Sequence, residues 1–260
     1  MSAPATAGFD PQDLEHKVKA MYRDVAEDPT GEFHFEMGRR LAERLGYDPA
    51  DLDRIPEEST DSFAGVGHFF HLASVKPGDT VVDLGSGAGM DTFIAALKVG
   101  AAGQVIGIDM TDAQLDKAAR LGARDGFGTV SFRKAYIEEV PLPEATADVV
   151  ISNGVINLSP VKQKVFDEAA RLLKRGGRLA IADIVTTTQL PDGIVCNADL
   201  WAACIGGAAQ QDAYRSMIAA AGLRLETMED NTAYAFISES AQGATRKYGV
   251  KSVSLLAVKP

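Results

Sequence analysis

Apolar positions recur at two different periods along the chain. Near the start, Leu14, Val18, Met21, Tyr22 and Val25 return at helical spacing, which predicts a helix from Asp13. A second helix is predicted from about Glu32 to Leu45. Residues 1–10 read as a tail rich in Ala and Pro, and residues 46–61, with Pro49 and Pro56, as a connection. Residues 62–73, SFAGVGHFFHLA, read as a loop and short helix. Beyond Asp79 short apolar runs alternate with amphipathic stretches. Strands are predicted at 80–84, 104–109, 130–134, 148–152, 178–185, 223–228 and 252–258. Helices are predicted at 88–99, at 112–124 with Thr111 as N-cap, at 160–173 stopped by Gly176 and Gly177, and at 207–221. Repeated strand–helix units with continuous apolar strands imply an α/β fold whose parallel sheet is covered on both faces. Residues 186–206 break the rhythm and read as an inserted cap, and residues 229–251 as a lid or a partner surface. The expected organisation is a helical cover and substrate loop at 1–75, then a core at 76–260.

Composition narrows the picture. A chain of 260 residues, 46% hydrophobic, buries a full core without staples. The net charge of −10 argues against a nucleic-acid partner and against docking on anionic lipid. Cys196 and Cys204 are the sole cysteines, which excludes a disulfide framework and an all-cysteine zinc site. The opening MSAPATAGFDPQDLEHK has no apolar leader stretch, and the longest apolar runs fall far short of a bilayer. The expectation is a cytoplasmic protein, monomer or homodimer, acting on a small molecule.

Candidate chemistry begins at Val81-Val82-Asp83-Leu84-Gly85-Ser86-Gly87-Ala88-Gly89, which ends a strand and opens a helix. Glycines there let the backbone turn tightly against a ligand, and a helix N-terminus offers free N–H groups. The third glycine arrives one residue earlier than in a dinucleotide fingerprint, and Met90 stands where that fingerprint wants Gly or Ala, which disfavours NAD. Asp109 ends the next strand at the spacing of a ribose-binding acid. It either takes ribose hydroxyls or caps the helix starting near Thr111; the glycine loop one strand earlier favours ribose.

The segments VVDLGSGAG, VIGIDMT, DVVISNGVINLSPVKQKVF and LLKRGGRLAIAD resemble those of class I S-adenosylmethionine-dependent methyltransferases. IDMT, ISNGVINLSPVK and LWAACIGGA bring the resemblance nearest to the arsenite methyltransferases. The resemblance runs from about Val18 to the C-terminus. It implies a Rossmann-like fold with a mostly parallel seven-stranded sheet, helices on both faces and an N-terminal helical cover. It also implies S-adenosyl-L-methionine as cofactor. Carried over, Gly85, Ser86, Gly87 and Gly89 hold its methionine part, and Asp83 anchors the loop or faces the ammonium. Asp109 takes the ribose and Met110 the adenine face, bordered by Ile137 and Glu138. Asn153 sits near the transferred methyl, and Tyr22 resembles a tyrosine of the helix that closes over the cofactor. The reaction is in-line methyl transfer; a base is required only if the nucleophile arrives protonated.

The chain departs from the arsenite branch in its thiols. The resemblance implies three arsenic-binding cysteines: one in the loop SFAGVG, one after Ile151-Ser152-Asn153, and one at Cys204. The first is missing, Gly154 stands at the second, and Cys204 alone survives. Soft metalloids need soft ligands. The reading is therefore an enzyme on a small organic molecule of secondary metabolism, planar or polycyclic, with no metal site. Gly154 would enlarge the space beside the methyl. Phe63, Phe69, Phe70, Trp201, Cys204, Ile205, Tyr214 and Tyr248 are the candidate substrate contacts, and His68, His71 and Asp183 the candidate bases. His16 and His34 read as surface or packing residues. Three alternatives stay open: arsenite methylation through Cys204, a related alkylation such as ring closure, and a non-catalytic cofactor-binding protein.

Overall fold

The computed structural model describes residues 11–31, 33–191, 194 and 206–260. Its centre is a sheet of β1 (Thr80–Leu84), β2 (Gln104–Asp109), β3 (Val130–Lys134), β4 (Ala147–Asn153), β5 (Leu173–Thr186), β6 (Ala209–Gln210), β7 (Arg224–Asp230) and β8 (Lys251–Val258). The order is β3-β2-β1-β4-β5-β8-β7, with the two-residue β6 pairing β5 off this path. Strands β1 to β5 run parallel, and β8 runs antiparallel to both β5 and β7. Alternation along the strands divides the core. Val81, Val105, Val149 and Ile151 pack on one face, with Phe93, Ile94 and Phe69. Val82, Leu84, Ile106, Ile108 and Val150 pack on the other, with Phe166, Tyr214 and Ile218. Both faces are covered, which is why the central strands read as mainly apolar runs rather than as alternating ones.

Helices α1 (Pro11–Glu27), α2 (Arg39–Leu45), α3 (Pro49–Leu52), α4 (Glu57–Asp61) and α5 (Phe70–Ala73) precede the sheet. Helices α6 (Met90–Val99), α7 (Asp112–Arg124), α8 (Lys162–Leu172), α9 (Gln211–Ala220) and α10 (Glu239–Tyr248) follow within it. The chain leaves β1 toward β2 and β3, then returns to β4 on the other side of β1. The carboxyl ends of β1 and β4 therefore flank a crevice at the reversal, where open α/β sheets bind ligands.

Several boundaries differ from the sequence expectation. Helix α2 begins at Arg39, because Gly38 has φ 82° and donates its N–H to Phe63 O at 2.9 Å. Residues 46–61 contain α3 and α4, the first capped by the Asp48 side chain. Gly176 and Gly177 do not stop a helix: α8 ends at Leu172, and β5 runs through them. Gly176, at φ 75°, donates to Lys259 O at 2.7 Å, so the glycines serve the junction of β5 with the chain just after β8 instead. Helix α9 starts at Gln211, held by the Gln210 side chain, which accepts from Asp212 N and Ala213 N. Most of the expected cap at 186–206 lies outside the described residues. Among the described residues, no helix is long and apolar enough to cross a membrane.

Candidate functional site

The crevice holds a cleft of about 430 Å³. Its floor is the turn after β1. Gly85, Gly87 and Gly89 have φ of 79°, 52° and 96°, a region L side chains rarely adopt. A Cβ on Gly89 would also stand 2.8 Å from the Phe93 ring. Gly85 and Ser86 donate their N–H groups to Ile108 O at 2.8 and 2.9 Å, which ties the turn to β2. Asp109 completes the brace: one carboxylate oxygen accepts from Gly87 N at 3.0 Å, the other from Thr111 N at 2.8 Å. Both readings of Asp109 thus meet in one residue. It caps α7, replacing the expected Thr111 side-chain cap, and it lines the cleft. The Thr111 hydroxyl and the Met110 N–H also bond to this carboxylate, so a ligand hydroxyl would have to share or displace one of these donors. Burial raises its pKa.

Two further acids face the cleft from below the turn. Asp83, 2% exposed, accepts from the Thr92 hydroxyl at 2.6 Å. Asp91, on the first turn of α6, accepts from the Tyr47 hydroxyl at 2.6 Å and from the Asn153 amide at 3.0 Å. Burial, and then the charge of Asp91, push Asp83 well above the ordinary carboxylate range. Burial raises Asp91 to about 6, against the two hydrogen bonds that favour its anion. Both acids take these bonds from neutral groups, so a cationic ligand group beside them gains what no side-chain cation supplies.

Asn153, at the end of β4, is the other wall. Its amide oxygen accepts from Val66 N at 2.8 Å and Gly67 N at 3.3 Å, and its NH2 donates to Gly67 O, Tyr47 Oη and Asp91. One side chain thus pins the loop at 62–67 against the cleft. That loop contributes Ser62, Phe63, Ala64 and Gly65 to the lining. Gly65 is required by proximity, since a Cβ there would lie 2.7 Å from Asn153 Cγ.

Tyr22, Met110, Ile137 and Glu138 line the cleft with Asp83, Gly85, Ser86, Gly87, Asp109 and Asn153, and Gly89 shapes its turn from outside the lining. The roof is α1, which contributes Leu14, Glu15, Val18 and Tyr22. At the outer rim the Tyr136 hydroxyl donates to Glu15 at 2.6 Å, and Glu138 accepts from Ser159 Oγ at 2.5 Å. Ser86 Oγ and Gln114 Oε1, buried in the lining, have no hydrogen-bond partner.

Other candidates lie elsewhere. His68 and His71 are outside the cleft: their Nδ1 atoms are 3.3 Å apart, and His71 Nε2 is 3.2 Å from Glu229. Burial, then His71, lowers His68 to about 4, so it is neutral at physiological pH, and it does not line the cleft. Asp183 is buried in the second core layer and accepts from the Tyr214 hydroxyl at 2.6 Å and from Ile184 N. Tyr214 is thereby consumed internally, and neither residue lines the cleft. Phe70 is core, with Lys98 over its ring, and Phe69 is fully buried. Gly154 is not among the residues that line the cleft. Its φ is 71°, and a Cβ there would meet Val66 at 3.2 Å, so a side chain would need Val66 to give by a few tenths of an ångström. Trp201, Cys204, Cys196 and Ile205 lie outside the described residues. Among the described residues no cluster suits a metal ion.

Sequence reasoning missed Tyr47, Asp91, Gln114 and Tyr136. Gln114 alone left a signal: with Ala118, Leu121 and Gly122 it falls on the buried stripe of α7, where a polar residue is out of place.

A methyltransferase-domain family model matches residues 75–222. An arsenite methyltransferase of Halobacterium salinarum is 41% identical over 199 residues, covering 76% of this chain and 51% of the relative. A 27-O-demethylrifamycin SV methyltransferase of Amycolatopsis mediterranei is 29% identical over 191 residues, covering 71% of this chain and 66% of the relative. Among solved structures, an arsenic(III) S-adenosylmethionine methyltransferase of Chlamydomonas reinhardtii matches with TM-score 0.64 and 28% identity, covering 86% of this chain and 74% of that one. The chain spans about half the length of the curated arsenite methyltransferases it matches first.

Proposed function

Because the chain belongs to the class I S-adenosylmethionine-dependent methyltransferases, in their arsenite methyltransferase-like branch, we propose that it methylates a small organic molecule. When bound, S-adenosylmethionine supplies a methyl group on a positively charged sulfur that leaves as a neutral thioether. The residues fit that cofactor. Asp83 and Asp91 are buried acids with no side-chain cation beside them, whose ionised forms would be favoured by its cationic end; Asp109 would face its ribose, and Met110, Ile137 and Glu138 would border its flat adenine ring. Gly85, Ser86 and Gly87 let the backbone lie against it. Asn153 holds the loop at 62–67 over the reacting end, and Phe63 excludes water there. Among the described residues no histidine lines the cleft, which favours a substrate whose nucleophile needs no histidine base.

The observation that carries the organic-substrate reading is Gly154 against Val66. The resemblance puts an arsenic-binding thiol at that position, and here the backbone is left-handed and a Cβ would press on Val66 at 3.2 Å. The loop at 62–67 adds no thiol, so two of the three implied ligands are absent. The 41% identity to an arsenite methyltransferase favours a second reading, in which Cys204 serves arsenite. Incubation with methyl-labelled cofactor separates them. Label transferred to planar phenolic or polycyclic acceptors, with none to arsenite in excess thiol, supports the first. Methylated arsenic with no organic product establishes the second.

A further inference from the structure

Gln114 joins the cleft to its roof, and no expectation had assigned it a task. It sits in the first turn of α7 and is 2% exposed. Its Nε2 donates to Tyr22 O of α1 at 2.7 Å, over 92 residues of sequence. That carbonyl acceptor fixes the amide's orientation, because only the NH2 end can donate to it. The oxygen end therefore points the other way. Gln114 is part of the cleft lining, and its Oε1 lies 3.7 Å from where a Cβ on Gly87 would stand, buried and without a hydrogen-bond partner. A buried amide oxygen left unpaired costs free energy unless something in the cleft donates to it. Being an acceptor, it selects a donor, and a cofactor of the class proposed above carries several.

Lys117, one turn further along α7, also fastens α1: its Nζ donates to Ala26 O at 3.0 Å and to Ser62 Oγ at 2.8 Å. It does not line the cleft. Of these two ties to the roof helix, only Gln114 touches both helix and cleft.

We propose that Gln114 couples cofactor occupancy to closure of α1, with Oε1 accepting a hydrogen bond from the bound cofactor while Nε2 holds the Tyr22 carbonyl. The inference rests on the cofactor reading above. A donor at Oε1 removes the amide's other conformers and so strengthens its grip on Tyr22. By reciprocity, an anchored α1 tightens cofactor binding.

The test is tryptic cleavage at Lys17, Lys19 and Arg23 of α1, with and without saturating S-adenosylhomocysteine, alongside calorimetry of the same ligand. Cleavage in a helix that opens reversibly tracks its open population. In the wild type the ligand slows cleavage about tenfold, the worth of one such hydrogen bond. Gln114→Met loses both ends of the tie and binds about tenfold more weakly, and at saturation the ligand no longer slows cleavage. Gln114→Asn keeps the amide but shortens its reach, and shows the same pattern. Lys117→Met loosens α1 equally with and without ligand, as a merely structural tie does. Gln114 variants that bind or are protected like the wild type overturn the coupling and leave the cofactor reading intact. A wild type that gives no binding heat overturns that reading itself.

Discussion

The Asn153 amide donates to the Asp91 carboxylate at 3.0 Å while its oxygen accepts from the Val66 backbone at 2.8 Å. The wall that would face the methyl is thereby tied to the acid below the glycine turn. Asn153→Ala breaks these bonds and leaves Asp91 with Tyr47 alone. The expected loss is about 1–3 kcal/mol in stability, with weaker binding of S-adenosylhomocysteine. Thermal unfolding and calorimetry check it.

The acid pair sets a pH dependence with opposite signs for folding and binding. Asp91 has a folded pKa of about 6 against an ordinary 3.8. Between those values the native state holds a proton the unfolded chain has lost, so stability from this group falls as pH rises through that window. Binding a cationic ligand needs the anion, so affinity falls as pH drops below about 6. Asp91→Asn is expected to raise the melting temperature of the ligand-free protein at pH 7 and to weaken S-adenosylmethionine binding. Unfolding and calorimetric titrations between pH 5 and 8 read both.

Gly154→Cys restores the thiol that the arsenite branch implies. Left-handed backbone costs an L residue roughly 1–2 kcal/mol, and Val66 must move in addition. The variant is expected to unfold earlier and to gain no arsenite methylation. A stable variant that methylates arsenite contradicts the packing found at Val66.

Asp183 and Tyr214 form a buried pair outside the cleft lining, so Tyr214→Phe is expected to cost stability with turnover retained. Leaving Asp183 short of a donor in the core costs about 1–3 kcal/mol. His71→Ala, on the outer surface beside Glu229, should change neither quantity. Turnover that collapses in either variant without loss of folded protein restores these residues to the chemistry.

The strands were legible because the middles of β1, β2 and β4 are short buried apolar runs, Val81-Val82, Val105-Ile106 and Val149–Ile151, with their polar residues mostly toward the ends. The glycine turn and Asp109 were legible because their spacing is local. Gly176 and Gly177 misled, since a helix stop and a strand that turns back toward Lys259 ask for the same residue type. Asp91 and Tyr47 were invisible because their bond spans 44 residues and exists only once α3 and α6 are packed. The left-handed backbone at Gly154 and its nearness to Val66 were not legible, because both depend on how the loop at 62–67 packs.

The most direct test is isothermal titration of S-adenosylhomocysteine into the wild type and Asp109→Ala. Saturable one-to-one heat in the wild type, lost or strongly weakened in Asp109→Ala, is the expected result. No heat in the wild type, or equal affinity in both proteins, contradicts the placement of the cofactor in this cleft.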